Sequence, residues 1–151
     1  MDDLEKALKV HPFMHDLRED HLRFVVGCTR NVRFAAGELV LREGEAEHAL
    51  FLVRHGTIAL EVHDPGREPT VVETLQPGDA LGVSWMTHPE RGGPLDCRAR
   101  ESVVCFRVDG DCLKRKMEEE PALGYAIASR LLERTYERLS RARIQKLDLY
   151  R

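Results

Sequence analysis

From residue 31 to residue 108 the chain alternates apolar and polar side chains with a period of two, and chain-reversing residues recur roughly every eight to twelve positions. That spacing belongs to an all-β sandwich or barrel. Short strands are expected at 32–34, 39–42, 49–54, 57–63, 70–75, 80–83, 95–100 and 103–108. Gly37 and Gly44 bracket one strand, Gly56 turns a hairpin, and Asp64-Pro65-Gly66 makes a further reversal. Eight short strands suit a mainly β fold, an eight-stranded jelly-roll β-barrel or double-stranded β-helix.

Both flanks read as helical. Residues 2–10 carry Leu4, Ala7 and Leu8 at helical spacing behind an acidic first turn, and His11-Pro12 stops them. Residues 18–28 repeat the pattern with Leu22, Val25 and Val26. After the strands, Gly110-Asp111 opens an amphipathic turn through Leu113 and Met117. Pro121 then suits the first position of a helix that meets no further proline before Tyr150 and no glycine after Gly124. Along it Ala128, Leu132, Thr135, Leu139 and Ala142 form a heptad seam, while Leu123, Ile127 and Leu131 form a neighbouring stripe. Two apolar stripes need two partners: one is the chain's own β body, the other half of a symmetric homodimer. Glu137 and Arg141 are spaced for an i,i+4 pair on the outer side. The expected organisation is a single domain over 1–151, with a helical lid at 1–30, a β-roll at 31–109 and C-terminal helices, the last dimerising, at 110–151.

A 151-residue chain buries roughly 70% of its unfolded surface, so neither a metal nor a disulfide staple is required. A net charge of −3 with 42% apolar residues points neither to a nucleic-acid field nor to a disordered tail. The N-terminus has no apolar signal region and no run approaches the roughly 20 apolar residues of a membrane span. A soluble cytoplasmic protein that meets no membrane is expected. Cys28, Cys97, Cys105 and Cys112 make no CxxC pair and no zinc spacing, so plain burial is expected for all four. His11 and His15 are separated by a helix break at Pro12 and read as solvent-exposed histidines, not as a zinc pair. His48, His55 and His63 are too widely spaced for a metal-binding cupin, and no nucleophile elbow or triad pattern is present. No catalytic and no metal residues are assigned, and the chain reads as a non-enzyme.

Three landmarks carry a resemblance: VRFAAGELVLREGEAEHALFLVRHGTIAL, then LQPGDALG, then RVDGDCL. In that order, with a helical lid before and a long helix behind, the chain resembles the cyclic-nucleotide-binding domain of the catabolite activator and anaerobic regulator (CRP/FNR) family, from about residue 11 to residue 150. The resemblance implies a phosphate cradle within residues 78–100 and a ligand base capped from the long helix. Activators of this family continue into a helix-turn-helix domain, whereas this chain stops at Arg151, so no direct DNA binding is expected. Oxygen sensors related to the fold carry a closely spaced N-terminal cysteine group, which is missing here, so no iron-sulfur cluster is expected either.

A cyclic phosphate is a desolvated anion and needs converging backbone N–H groups together with a guanidinium. Gly82, Val83 and Ser84 are the candidate backbone donors, with the Ser84 hydroxyl in addition. Val83 stands where the resemblance implies a ribose-binding Glu, and Gly92-Gly93-Pro94 stands where it implies the phosphate arginine. Arg91 is the nearest substitute in the loop. Trp85 is read on a strand ending in the cradle, where its ring either stacks on a ligand or plugs the pocket, with the plug favoured. Arg134, Arg138 and Arg141 line one face of the long helix, mostly a solvated surface; by the resemblance they are also second candidates for anion contact.

Two functions follow. The favoured one is a non-enzymatic sensor, a homodimer that takes a cyclic nucleotide weakly, or another small anion, and reports by binding another protein. The alternative is a ligand-free, degenerate β-roll that acts as a protein–protein interaction module.

Overall fold

The computed structural model describes residues 3–149, with side chains described for residues 3–142. Helices α1 (Asp3–Lys9) and α2 (Glu19–Val26) precede the strands β1 (Thr29–Phe34), β2 (Leu39–Leu41), β3 (Ala49–His55), β4 (Ile58–Val62), β5 (Thr70–Leu75) and β6 (Ala80–Leu81). A one-turn helix, α3 (Ser84–Thr87), separates β6 from β7 (Asp96–Ala99) and β8 (Val103–Asp109), and the described chain ends with α4 (Gly110–Glu119) and α5 (Pro121–Leu149). The strands form two four-stranded antiparallel sheets, ordered β1-β8-β3-β6 and β2-β7-β4-β5. This is the jelly-roll architecture expected from the strand spacing.

Strands β3 and β8 are covered on both faces, and their side chains alternate between two cores. Ala49, Phe51, Val53, Val103 and Cys105 point between the sheets, where they meet Ile58, Leu60, Leu75 and Leu81. Leu50, Leu52, Phe106 and Val108 point the other way, into a core built with Phe13, Leu22, Leu113, Leu123 and Ile127 from the helices. Burying each of these side chains contributes about 1.5–3 kcal/mol, so two cores sharing one sheet hold the helices on the roll. That sharing explains why residues 49–53 read as an unbroken apolar run.

The structure corrects several expectations. Gly56 (φ 80°) turns the chain, but β3 and β4 lie in different sheets, so the turn is a corner between sheets and not a hairpin. A Cβ at Gly56 would press on the Ser102 carbonyl. The Asp64-Pro65-Gly66 reversal does join a paired hairpin, β4 with β5. The expected strand at 80–83 ends at Leu81, because Gly82 takes a left-handed φ of 89° under the Ala49 carbonyl and the chain winds into α3. Trp85 is therefore a helical residue.

Cys28 and Cys112 are not plainly buried thiols: they form a disulfide across 84 positions. The backbone bond from Asp109 N–H to the Cys28 carbonyl (2.8 Å) brings the two residues together. Cys97 and Cys105 do fit plain burial, which pushes their thiols up to about 11 and about 12. His11 is not exposed. It is buried, its Nε2–H donates to the Val53 carbonyl (2.8 Å), and its Nδ1 accepts from the Phe13 N–H (3.1 Å), so it pins the chain break after α1 to β3. His15 is exposed as expected.

Leu123, Ile127 and Leu131 on α5 are buried against the molecule's own body. The seam of Ala128, Leu132, Thr135, Leu139 and Ala142 is exposed throughout, with Leu132 72% and Leu139 52% accessible beside Tyr125 at 78% and Tyr136 at 68%. Arg141 pairs not with Glu137 but with Glu73 of β5, at 2.9 Å. None of the described helices is long and apolar enough to cross a membrane.

Candidate functional site

A cavity of about 170 Å³ opens between the second sheet, the β6–α3 junction, the loop before β7, and α5. Leu41, Leu60 and Cys97 form its floor from β2, β4 and β7, and Leu81 closes one end. Gly82, Val83 and Ser84 form one wall, and Gly93, Pro94 and Leu95 form the other. Arg42, Glu45 and Glu47 stand at the rim, and Arg138 reaches in from α5. Gly82 is required at this point because a Cβ would strike the Ala49 carbonyl, and its left-handed backbone is what turns residues 83 and 84 toward the cavity.

The structure thus brings Gly82, Val83, Ser84 and Arg138 around one space and leaves three of the other sequence candidates outside it. Trp85 is 2% accessible, and its Nε1–H donates to the Gly82 carbonyl (2.7 Å) and the Ala49 carbonyl (3.1 Å). Its ring lies in the helix-side core against Gly110, where a Cβ would meet Trp85 Cδ2 at 2.9 Å. It neither lines the cavity nor fills it: the one-turn helix rotates it to the opposite side of the cradle. Arg91 is exposed in a shallow depression beside Ser84, His88 and Pro94. Arg134 donates to the Gly78 carbonyl (3.2 Å) and lies 3.8 Å from Asp79, so it ties α5 to the β5–β6 turn.

The electrostatics of the space are mixed. Glu45 lies 4.0 Å from Arg42, and Glu47 lies 3.4 Å from Arg107. Arg138 Nε donates to Glu73 Oε2 at 3.0 Å. An anion entering here meets two rim carboxylates, and its guanidinium partners are already paired. These acids have no counterpart among the sequence candidates because their approach to the cavity depends on the course of the β2–β3 loop, which has no local signature.

The loop after α3 is fastened at two points. Gly44 N–H donates to the Gly93 carbonyl (3.0 Å), and Gly92 packs so closely on the Gly44–Glu45 backbone that no side chain fits there. His48 places Nε2 2.6 Å from the Pro89 carbonyl and Nδ1 2.8 Å from Asp111 Oδ1. Both neighbours are acceptors, so the full set of bonds needs the imidazolium, and the His48 pKa is raised, first by the Pro89 carbonyl and then by Asp111. Gly93 differs from Gly92: a Cβ on it would face the Ser84 Oγ at 3.9 Å and meet nothing closer. Among the described residues no group of three or more His, Cys, Asp or Glu could hold a metal ion.

Comparison with known proteins agrees with the fold. The family model of the cyclic nucleotide-binding domain matches residues 31–120. The chain is 21% identical over 109 residues to cGMP-dependent protein kinase 2 of Mus musculus, a match that takes in 72% of this chain and 14% of the kinase. The chain therefore spans only a small part of the length of the curated relatives it matches. Among solved structures, a cyclic nucleotide-binding domain from Methylobacillus flagellatus superposes with a TM-score of 0.79 at 17% identity, covering 97% of this chain and 80% of that one. The sensor domain of the transcriptional regulator DNR from Pseudomonas aeruginosa superposes with a TM-score of 0.70 at 18% identity, covering 90% and 91%. At these identities the likeness carries the fold.

Proposed function

The chain belongs to the cyclic nucleotide-binding domain family, and from that membership we propose that it is a non-catalytic sensor which takes cyclic nucleotides weakly and is built for a smaller ligand. The observation that carries this reading is the cavity itself. Its volume of about 170 Å³ falls below the roughly 300–1,000 Å³ of ordinary small-molecule sites. Val83 offers no acceptor to a ribose hydroxyl. Two missing charge-assisted contacts, at about 1.5–3 kcal/mol each, weaken binding by roughly two to four orders of magnitude. Calorimetry with cyclic AMP and cyclic GMP tests this: weak or absent heats are expected, and submicromolar affinity for either would overturn it.

Signal transmission is assigned to α5. Arg138 ties the helix to the cavity wall, and the exposed seam from Ala128 to Ala142 provides a face for a second copy. A ligand that changes the seating of Arg138 changes the angle at which the two long helices meet, and a protein partner reads that angle.

One observation favours a second reading, a ligand-free interaction module: the cavity's arginines are satisfied by the protein's own carboxylates. A thermal-shift screen with cyclic nucleotides, cyclic dinucleotides and small carboxylates separates the two. A reproducible rise in melting temperature with any of them supports the sensor, and a flat response across the set supports the module.

A further inference from the structure

We propose that Cys28 and Cys112 are a reversible dithiol–disulfide centre, oxidised by small-molecule disulfides, that clamps the N-terminal helices to α4. The pair lies in an open cleft of about 370 Å³ lined by Gly27, Thr29, Arg30, Arg107 and Asp109. Cys112 is half-buried and Cys28 lies buried behind it, whereas Cys105 is sealed between the sheets and Cys97 sits on the floor of the cavity. A dissolved disulfide therefore meets Cys112 first, in the open cleft, with Cys28 beside it to close the pair.

Three features suit the pair to exchange. Cys112 occupies the first turn of the ten-residue α4, where backbone N–H groups favour a thiolate. Its surroundings carry two guanidiniums, Arg30 and Arg107, of which Arg107 is shared between Glu47 at 3.4 Å and Asp109 at 3.7 Å, while Asp109 also accepts the Cys112 N–H at 2.9 Å. The third feature is that the two sulfurs stay within reach when reduced. The bond from Asp109 N–H to the Cys28 carbonyl does not involve sulfur, Lys116 Nζ donates to the Phe24 carbonyl at 2.8 Å, and Leu22, Val25 and Leu113 share the helix-side core. Opening the disulfide leaves the helices packed, so reclosure is an intramolecular step.

The reaction balances with a disulfide of the glutathione type as oxidant. The Cys112 thiolate attacks one sulfur of the small disulfide, forms a mixed disulfide and expels one thiolate. The Cys28 thiolate then attacks Cys112 Sγ and expels the second. Two protein thiols and one small disulfide give one protein disulfide and two small thiols, which carry away both cysteine protons. The protein loses two electrons and the oxidant gains them.

The test is alkylation and mass spectrometry of the whole chain, quenched in acid and unfolded, after equilibration in buffers spanning glutathione to glutathione-disulfide ratios. The expected result is four alkylated cysteines at the reducing end and two, Cys97 and Cys105, at the oxidising end, with the same curve approached from either side. Two alkylated cysteines at every ratio would make the bond purely structural, and four at every ratio would exclude it; either overturns the proposal. The oxidised form is expected to melt about 10 °C above the reduced form, and coincident melts would remove the clamp. Cys28→Ser is expected to take up a single glutathione at Cys112. No adduct on that variant would reject Cys112 as the attacking thiolate, while the wild-type titration tests the couple independently of how the variant folds.

Discussion

Arg138 Nε donates to Glu73 Oε2 across 3.0 Å, so the guanidinium that α5 sends to the cavity wall arrives already held by a carboxylate of β5. Glu73 holds Arg141 as well, at 2.9 Å. The same carboxylate therefore fastens the long helix to the second sheet and quenches the cavity's positive charge. Glu73→Gln is expected to raise affinity for cyclic AMP about tenfold, since one charge-assisted bond of about 1.5 kcal/mol or more becomes available to the ligand. Its cost in stability is expected to be about 1 kcal/mol or less, because both arginines are partly exposed. Calorimetry and chemical denaturation measure the two effects, and unchanged affinity would show that Arg138 does not face the ligand.

Gly92 and Gly93 are neighbours with opposite tolerances. An arginine at position 93 would start in open space facing Ser84, whereas one at position 92 would collide with the Gly44–Glu45 backbone. Gly93→Arg is expected to strengthen cyclic AMP binding by roughly ten- to a hundredfold with little change in melting temperature. Gly92→Arg is expected to destabilise the fold by several kcal/mol or displace the loop. If the two substitutions behave alike in thermal melts, the loop is not seated as described.

The exposed seam of α5 predicts association. Leu139 is half-exposed in the isolated chain, and Leu139→Asp would bury two unpaired carboxylates across a two-fold contact. Light scattering is expected to show a dimer for the wild type and a monomer for the variant, with the β-roll still folded by circular dichroism. A monomeric wild type would refute the assignment.

His48 gives the cradle loop a pH dependence of known sign. Its folded pKa is raised, so the anchoring of the loop is complete below the unfolded histidine value and is lost as pH rises through the folded value. Facing it are Asp111 and, further off, Asp109 on the α4 side, and the Pro89 carbonyl of the loop. Amide exchange across residues 88–94 is expected to quicken above that value in the wild type and to lose this dependence in His48→Gln. His11 acts in the opposite sense: burial lowers its pKa, so its contribution is present above the unfolded value and lost on acidification. A loop exchange profile identical in wild type and His48→Gln would dismiss the latch.

Much of this protein is legible in the order of its residues. Period-two patterning with turn residues marks the eight strands, and the order of landmarks identifies the roll. The two apolar stripes of α5 separate a buried face, Leu123-Ile127-Leu131, from an exposed one, Ala128 to Ala142. These signals are local, because backbone propensity and side-chain direction are set within a few residues. That Val83 and Gly92-Gly93-Pro94 stand along the cradle is equally plain, since it concerns which residue stands at a position.

Contacts between distant parts of the chain carry no local signature and follow from packing alone. A run such as Ala49 to Val53 looks the same whether one core covers it or two; packing of the helices on the outer face made it two. Trp85 turned away from the cradle because the left-handed backbone at Gly82 ends the strand and begins a helix, and a one-turn helix rotates a side chain where a strand would alternate it. Glu73 reached Arg138 across 65 positions and Cys28 reached Cys112 across 84. No periodicity encodes such separations, which follow only when both sheets close and the final helix docks. Residue order carried the roll and the identities of the residues along its cradle, and tertiary closure set the cavity's size, the pairing of its charges and the Cys28–Cys112 disulfide.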